Sequence, residues 1–187
     1  MRLAIALLSC AAVATPATAG TPVPIDHFGS VQLRGGGHVV VQRGDVQRVT
    51  LISGSTQFTR FRVEHGGQLV IDACDSDCPH HYDLDIEIVT PNIDGVSIEG
   101  GGKIETASSF GRQDNIAAAI EGGGDIDIRS IDATNASAAI NGGGDIRLKA
   151  QRSLMAAVDG GGDITYWGNP EVTSAVDGGG NVSKGAE

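Results

Sequence analysis

Ala118-Ala119-Ile120-Glu121-Gly122-Gly123-Gly124-Asp125-Ile126-Asp127-Ile128 is the stretch on which the fold turns. Ala118, Ile120, Ile126 and Ile128 alternate with polar or small residues, the period of a strand with one buried face. The glycines between the two halves mark a bend where φ is positive or where backbone packs on backbone. The same text returns as Ala138-x-Ile140-x-Gly-Gly-Gly-x-Ile146-x-Leu148, as Ala156-x-Val158-x-Gly-Gly-Gly-x-Ile164 and as Ser174-x-Val176-x-Gly-Gly-Gly-x-Val182. An upstream copy reads Val96-x-Ile98-x-Gly-Gly-Gly-x-Ile104. From residue 100 onward the triplets start 22, 20, 18 and 18 residues apart, and a recurrence near twenty residues is the signature of a repeat architecture.

A helix is excluded by the same residues. Three glycines per unit cost about 3 kcal/mol against alanine, and the β-branched residues recur at two positions rather than at three and four. Glycine hairpins joining a meander are the competing arrangement. Conservation of both halves of the unit, including the alanines, favours like stacked on like, so the expectation is an all-β, single-stranded parallel β-helix. Inward alanines imply a thin cross-section, with Ile116, Ile131, Ala133 and Leu154 as further inward residues.

Residues 26–90 are less regular. Val31/Leu33, Val39/Val41, Val49/Leu51, Phe61/Val63, Leu69/Ile71 and Leu84/Ile86/Ile88 form short alternating runs separated by glycine-rich turns. They are expected to be strands of the same core, capping the stack before the regular repeats of 91–183. Arg43-Gly44-Asp45 has the letters of an integrin-recognition tripeptide and reads as a hairpin turn.

Met1 and Arg2, an apolar run over 3–14 and Ala17-Thr18-Ala19 before Gly20 predict a signal peptide over 1–19 and one mature all-β domain over 20–187. Cys10 after Leu7-Leu8-Ser9 is the competing, lipobox-like signal. The expected location is the periplasm, the cell surface or the exterior, with no membrane insertion. Without Arg2 the formal charge of −10 becomes −11, which disfavours phosphate backbones and hence nucleic acid. In that oxidising setting Cys74 and Cys78 predict a local disulfide; Cys74, Cys78, His80 or His81, and Asp75 or Asp77 are the alternative zinc or copper set.

A family resemblance rests on four segments. Phe28-Gly29-Ser30-Val31-x-Leu33, Gly36-Gly37-His38-Val39-Val40-Val41-x-x-Gly44-Asp45, Val63-x-x-Gly66-Gly67-x-Leu69-x-Ile71 and Ile88-x-x-Pro91-x-Ile93-x-Gly95-Val96-x-Ile98-x-Gly100 resemble the auto-transporter adhesin, head GIN domain family of exported bacterial proteins. The resemblance implies a β-solenoid-like fold at the cell envelope and carries no catalytic motif. The chain departs from the pattern in its Cys74–Cys78 loop and in its stricter glycine triplets.

The acidic residues beside the bends are the candidate site. Glu99, Glu121, Asn141, Asp159 and Asp177 precede the triplets; Lys103, Asp125, Asp145, Asp163 and Asn181 follow them. In rungs stacked at about 4.8 Å like carboxylates repel unless they splay into water or share a cation. Calcium, bound by Asp125, Asp145, Asp163, Asp159 and Asp177, is the natural ion. Basic and aromatic partners for catalysis are scattered, with Tyr166-Trp167 the one aromatic pair of the repeats and only one of the two able to face outward. The expectation is therefore a non-enzymatic binding module for a protein or glycan of the envelope, with a homodimer through the solenoid end. The alternatives are a calcium-stabilised carbohydrate-binding or polysaccharide-acting β-helix, and a purely structural envelope component.

Overall fold

The computed structural model describes residues 20–74, 77–107 and 109–186; the expected leader and Asp75 lie outside them. The irregular part supplies β1 (Thr21–Val23), β2 (Ser30–Gly35), β3 (His38–Arg43), β4 (Arg48–Ser53), β5 (Arg60–Glu64), β6 (Gln68–Asp72) and β7 (Asp85–Thr90). The repeats supply β8 (Gly95–Gly100), β9 (Lys103–Thr106), β10 (Gly111–Gly122), β11 (Asp125–Gly142), β12 (Asp145–Gly160), β13 (Asp163–Trp167), β14 (Glu171–Gly178) and β15 (Asn181–Lys184). None of the described residues forms a helix long and apolar enough to cross a membrane.

From β8 onward all strand neighbours are parallel, which rules out glycine hairpins and makes the repeats a β-solenoid. One wall stacks β8, β10, the second half of β11, the second half of β12 and β14; the other stacks β9, the first halves of β11 and β12, β13 and β15. Like lies on like: Ile120 faces Ile140, which faces Val158, while Ile126 faces Ile146, which faces Ile164. These six side chains are 0–3 % exposed and meet between the walls. Each contributes roughly 1.5–3 kcal/mol by leaving water. Ile116, Ile131, Ala133 and Leu154 are buried with them, as the alternation requires.

The glycine triplet is the corner joining the walls. At Gly142 φ is +131°, and an added Cβ would collide with the carbonyl oxygen of Gly122 on the rung beside it. At Gly144 the obstacle is the carbonyl oxygen of Gly124; around Gly143 there is open space. The bend and the close stacking therefore fall on the outer two glycines of the triplet. Hydrogen bonding continues through it, Gly143 N–H donating to Gly122 C=O at 2.8 Å and Asp145 N–H to Gly124 C=O at 3.1 Å.

The N-terminal strands extend the same core, yet not in chain order. β2 lies between β6 and β8, and β3 between β7 and β9, all parallel, so the first rung of the chain sits inside the stack. Beyond β6 and β7 the pairing turns antiparallel: β5 closes on β6, β4 on β7 and β1 on β4. The Arg43-Gly44-Asp45 turn is not a hairpin, because β3 and β4 flank β7 instead of pairing with each other. Its local residues cannot report a strand that arrives more than thirty positions later. The loop from β6 to β7 is closed by the Cys74–Cys78 disulfide, with Cα atoms 6.1 Å apart. In the same loop Tyr82 packs edge-on against Phe58 at 5.7 Å, and its hydroxyl lies 2.6 Å from that of buried Thr59.

Candidate functional site

The two outer faces of the solenoid differ. On the first wall four rows run across the rungs. Nearest the corner is Glu99, Glu121, Asn141, Asp159 and Asp177; next come Ser97, Ala119, Ala139, Ala157 and Ala175, then Gly95, Ala117, Ser137, Met155 and Thr173. The fourth row is a polar ladder of Asn115, Asn135, Ser153 and Glu171. Within it Asn135 Nδ2 donates to Asn115 Oδ1 at 3.2 Å and the Ser153 hydroxyl to Asn135 Oδ1 at 2.9 Å. Ala117, Ala139, Ala157 and Ala175 are exposed, and Met155 is 64 % exposed. The result is a flat strip of small side chains between an acidic and an amide border. The Ser97 hydroxyl, sunk into the strip, has no hydrogen-bond partner among the described residues.

The second wall carries paired charges. Lys103, Asp125, Asp145, Asp163 and Asn181 stand in one column, as their place after each triplet predicts. Arg147 from the adjoining column reaches Asp125 at 4.0 Å and Asp145 at 3.3 Å, so a side chain supplies positive charge to that part of the ladder. Asp159 and Asp177 lie on the far side of the corner, in the first-wall row. The five carboxylates proposed from sequence thus fall into two columns separated by the glycines. Among the described residues no group of three or more His, Cys, Asp or Glu is arranged to hold a metal ion.

A second column of this wall holds Glu105, Asp127, Arg147 and Thr165. The Lys103 ammonium, hydrogen-bonded to Glu105, holds that carboxyl below its ordinary range against partial burial; His38, with Nε2 at 3.1 Å from Oε1, adds to the effect. Burial pushes Asp127 up, but the Arg129 hydrogen bonds and charge outweigh it and leave the carboxyl below its usual value. Arg129 Nε donates to the two Asp127 oxygens at 2.9 and 3.2 Å and Nη2 to Oδ2 at 2.6 Å. The same hydrogen bonds raise the Arg129 pKa against its own desolvation.

Beside this pair the wall is not flat. Between Ile128 and Asp132 the register of β11 slips against β12, from Ile128 opposite Leu148 to Asp132 opposite Lys149. Here lies a concavity of about 680 Å³ lined by Glu105, Thr106, Asp127, Arg129, Ser130, Lys149, Gln151, Trp167 and Gly168. The guanidinium of Arg129 lies 4.9 Å from the Trp167 ring centroid, and Trp167 Nε1–H donates to Ala186 C=O at 2.9 Å. Tyr166 instead packs against the core, so the outward member of the aromatic pair is Trp167. Sequence reasoning pointed to the Tyr166–Trp167 pair without choosing between its members, and did not join Asp127 or Arg129 to it. Their Asp-x-Arg spacing, which puts both on one face of a strand, was the available signal.

The model of the family described as "Putative auto-transporter adhesin, head GIN domain" matches residues 27–111 and 106–170. The chain belongs to this family. That membership makes it an exported, adhesin-type binding module. Solved structures are similar in shape over most of the head GIN chain. A putative adhesin from Bacteroides fragilis NCTC 9343 shares 16 % identity, with 87 % of this chain and 94 % of that chain covered and a TM-score of 0.47. One from Parabacteroides distasonis ATCC 8503 shares 15 %, with 89 % and 96 % covered and a TM-score of 0.42. A structure from the same Parabacteroides distasonis strain, described as a putative lipid binding protein, shares 18 %, with 90 % and 98 % covered and a TM-score of 0.36. No curated protein matches the chain.

Proposed function

We propose that the flat outer face of the first wall is the contact surface of this adhesin-type module, laid against a protein or glycan of the cell envelope. The observation that carries the reading is the register of Ala119, Ala139, Ala157 and Ala175, a row of alanines on four successive rungs beside a second row of Ala117, Ser137, Met155 and Thr173. Such a strip offers area from which Met155 alone stands out as a large apolar side chain, on a backbone already held by parallel ladders, so little conformational freedom is lost on contact. The acidic border at Glu121, Asp159 and Asp177 favours a partner with a basic rim.

Attachment of the purified protein to intact cells tests this, wild type against the double variant Ala139→Arg/Ala157→Arg. Both positions are exposed and lie opposite each other on adjacent rungs, so the paired arginines should lower stability by about 1 kcal/mol at most. Attachment should fall about tenfold or more. Full attachment by a folded double variant would remove the flat face from consideration.

A second copy of the chain is the further partner we propose, at the β14–β15 end. Val176 is 45 % exposed, while Val158, its neighbour one rung earlier, is 3 % exposed. Only β12 pairs with β14 among the described strands, and an open strand edge is a template for another chain.

A further inference from the structure

We propose that the concavity at the β11 register slip is a saccharide site that takes an uncharged hexopyranose unit, separate from the flat face on the opposite wall. Its lining combines the two kinds of group that a sugar ring requires. Trp167, with the Arg129 guanidinium over its ring, gives the apolar edge against which C–H surface can pack. Asp127, Arg129, Lys149, Gln151 and Ser130 give donors and acceptors for hydroxyls. At about 680 Å³ the concavity lies within the range of small-ligand sites and has room for one or two rings.

Pre-organisation is the second argument. Arg129 is fixed by three contacts to Asp127 and lies over the indole at 4.9 Å. The indole is held from its other end by the hydrogen bond to Ala186 C=O and by Gly185, whose lack of a side chain admits the ring. Gln151 donates to Asp132, and Lys149 Nζ lies 3.6 Å from the same carboxylate. Side chains ordered beforehand cost little further entropy when a ligand arrives.

The charge balance selects the ligand. Arg129 is paired with Asp127 and Lys149 with Asp132, so an uncharged ring leaves both pairs intact. An anionic sugar would lie against the Asp127 and Glu105 carboxylates of the lining on a chain with a formal charge of −10, a repulsion that an uncharged ring does not meet. The hydroxyls of an uncharged ring can bridge the free lone pairs and N–H groups of the pairs, charge-assisted hydrogen bonds stronger than neutral ones.

Trp167 is the one tryptophan of the sequence, so its emission reports this site alone. The experiment titrates the protein with methyl glycosides of neutral hexoses, and in parallel with a uronic acid, reading tryptophan fluorescence. The expected result is a saturable emission change for a neutral glycoside with a Kd on the order of 1 mM. Lys149→Ala/Gln151→Ala, which keeps Trp167, Arg129 and Asp127 and leaves Arg112 at 3.8 Å from Asp132, should weaken it about tenfold or more in a protein that still unfolds cooperatively, less stable by about 1 kcal/mol. The flat-face variant Ala139→Arg/Ala157→Arg should bind the glycoside as wild type does, which separates failure of this site from failure of the flat face. A flat titration with every neutral glycoside, a response to the uronic acid alone, or an unaltered response in the Lys149/Gln151 variant would each overturn the proposal.

Discussion

Asp127 shows two influences in opposition at one residue. Partial burial favours its neutral acid, the Arg129 guanidinium favours its carboxylate, and the arginine prevails. A carboxyl whose folded pKa lies below its unfolded value stabilises the fold above the unfolded value, near 4, and that contribution is lost as pH falls through the lower folded value. Glu105 has the same sign, through Lys103 and then His38. Melting temperature should therefore fall as pH is lowered from about 5 to about 3, and the fall should be shallower in Asp127→Asn. At neutral pH that variant should be less stable by about 1 kcal/mol, because Arg129 keeps its charge and loses its partner. A pH series of thermal melts on the two proteins checks both statements. The residue types of this pair were legible in the Asp127-Ile128-Arg129 spacing. Their meeting with Trp167 was not, because Trp167 lies two rungs further on; the triplet spacing of 20 residues from Gly122 against 18 from Gly142 shows that one rung is longer, but not where along β11 the extra residues fall.

Among the elements, the glycine corner makes the sharpest claim about which residue matters. Gly142 and Gly143 are neighbours in one triplet, yet a methyl group on the first meets the carbonyl of Gly122 and one on the second meets nothing within 4 Å. Gly142→Ala should cost roughly 1–3 kcal/mol, from a positive φ and a backbone collision together. Gly143→Ala should be neutral or stabilising by about 0.5 kcal/mol, since it only narrows the unfolded ensemble. Urea unfolding of the two single variants decides it, and equal destabilisation by both would mean that the corner requires the whole triplet. The spacing of the triplets and the alternation around them were enough to locate every repeat strand. For β3 and β4 the same method placed the strands and mistook the turn between them, because tight-turn letters say where a chain bends and not which strand lies alongside.

Across the whole molecule, one core runs from Phe28 to Ile164 and changes character along its length. At the N-terminal side antiparallel β1, β4 and β5 cover the last parallel rung; at the other side β14 and β15 leave Val176 exposed. If that end pairs with a second copy, sedimentation should give a dimer mass that Val176→Lys reduces to a monomer mass, with thermal stability of the monomer changed by less than about 1 kcal/mol. A monomer mass for the wild type across the micromolar range would exclude the pairing.

The period, the inward residues, the position of each corner and the columns of carboxylates beside them are legible in the chain alone. All of these are local: alternation fixes which side chain faces in, and a repeat of constant length stacks equivalent atoms. Only the tertiary structure decided that β2 and β3 sit inside the stack, that Arg147 supplies charge to Asp125 and Asp145, and that a slip in β11 joins Arg129 to Trp167. Each depends on which rungs become neighbours and in what register, and in a parallel sheet that choice is settled by the summed burial of all the rungs rather than by the residues of any one.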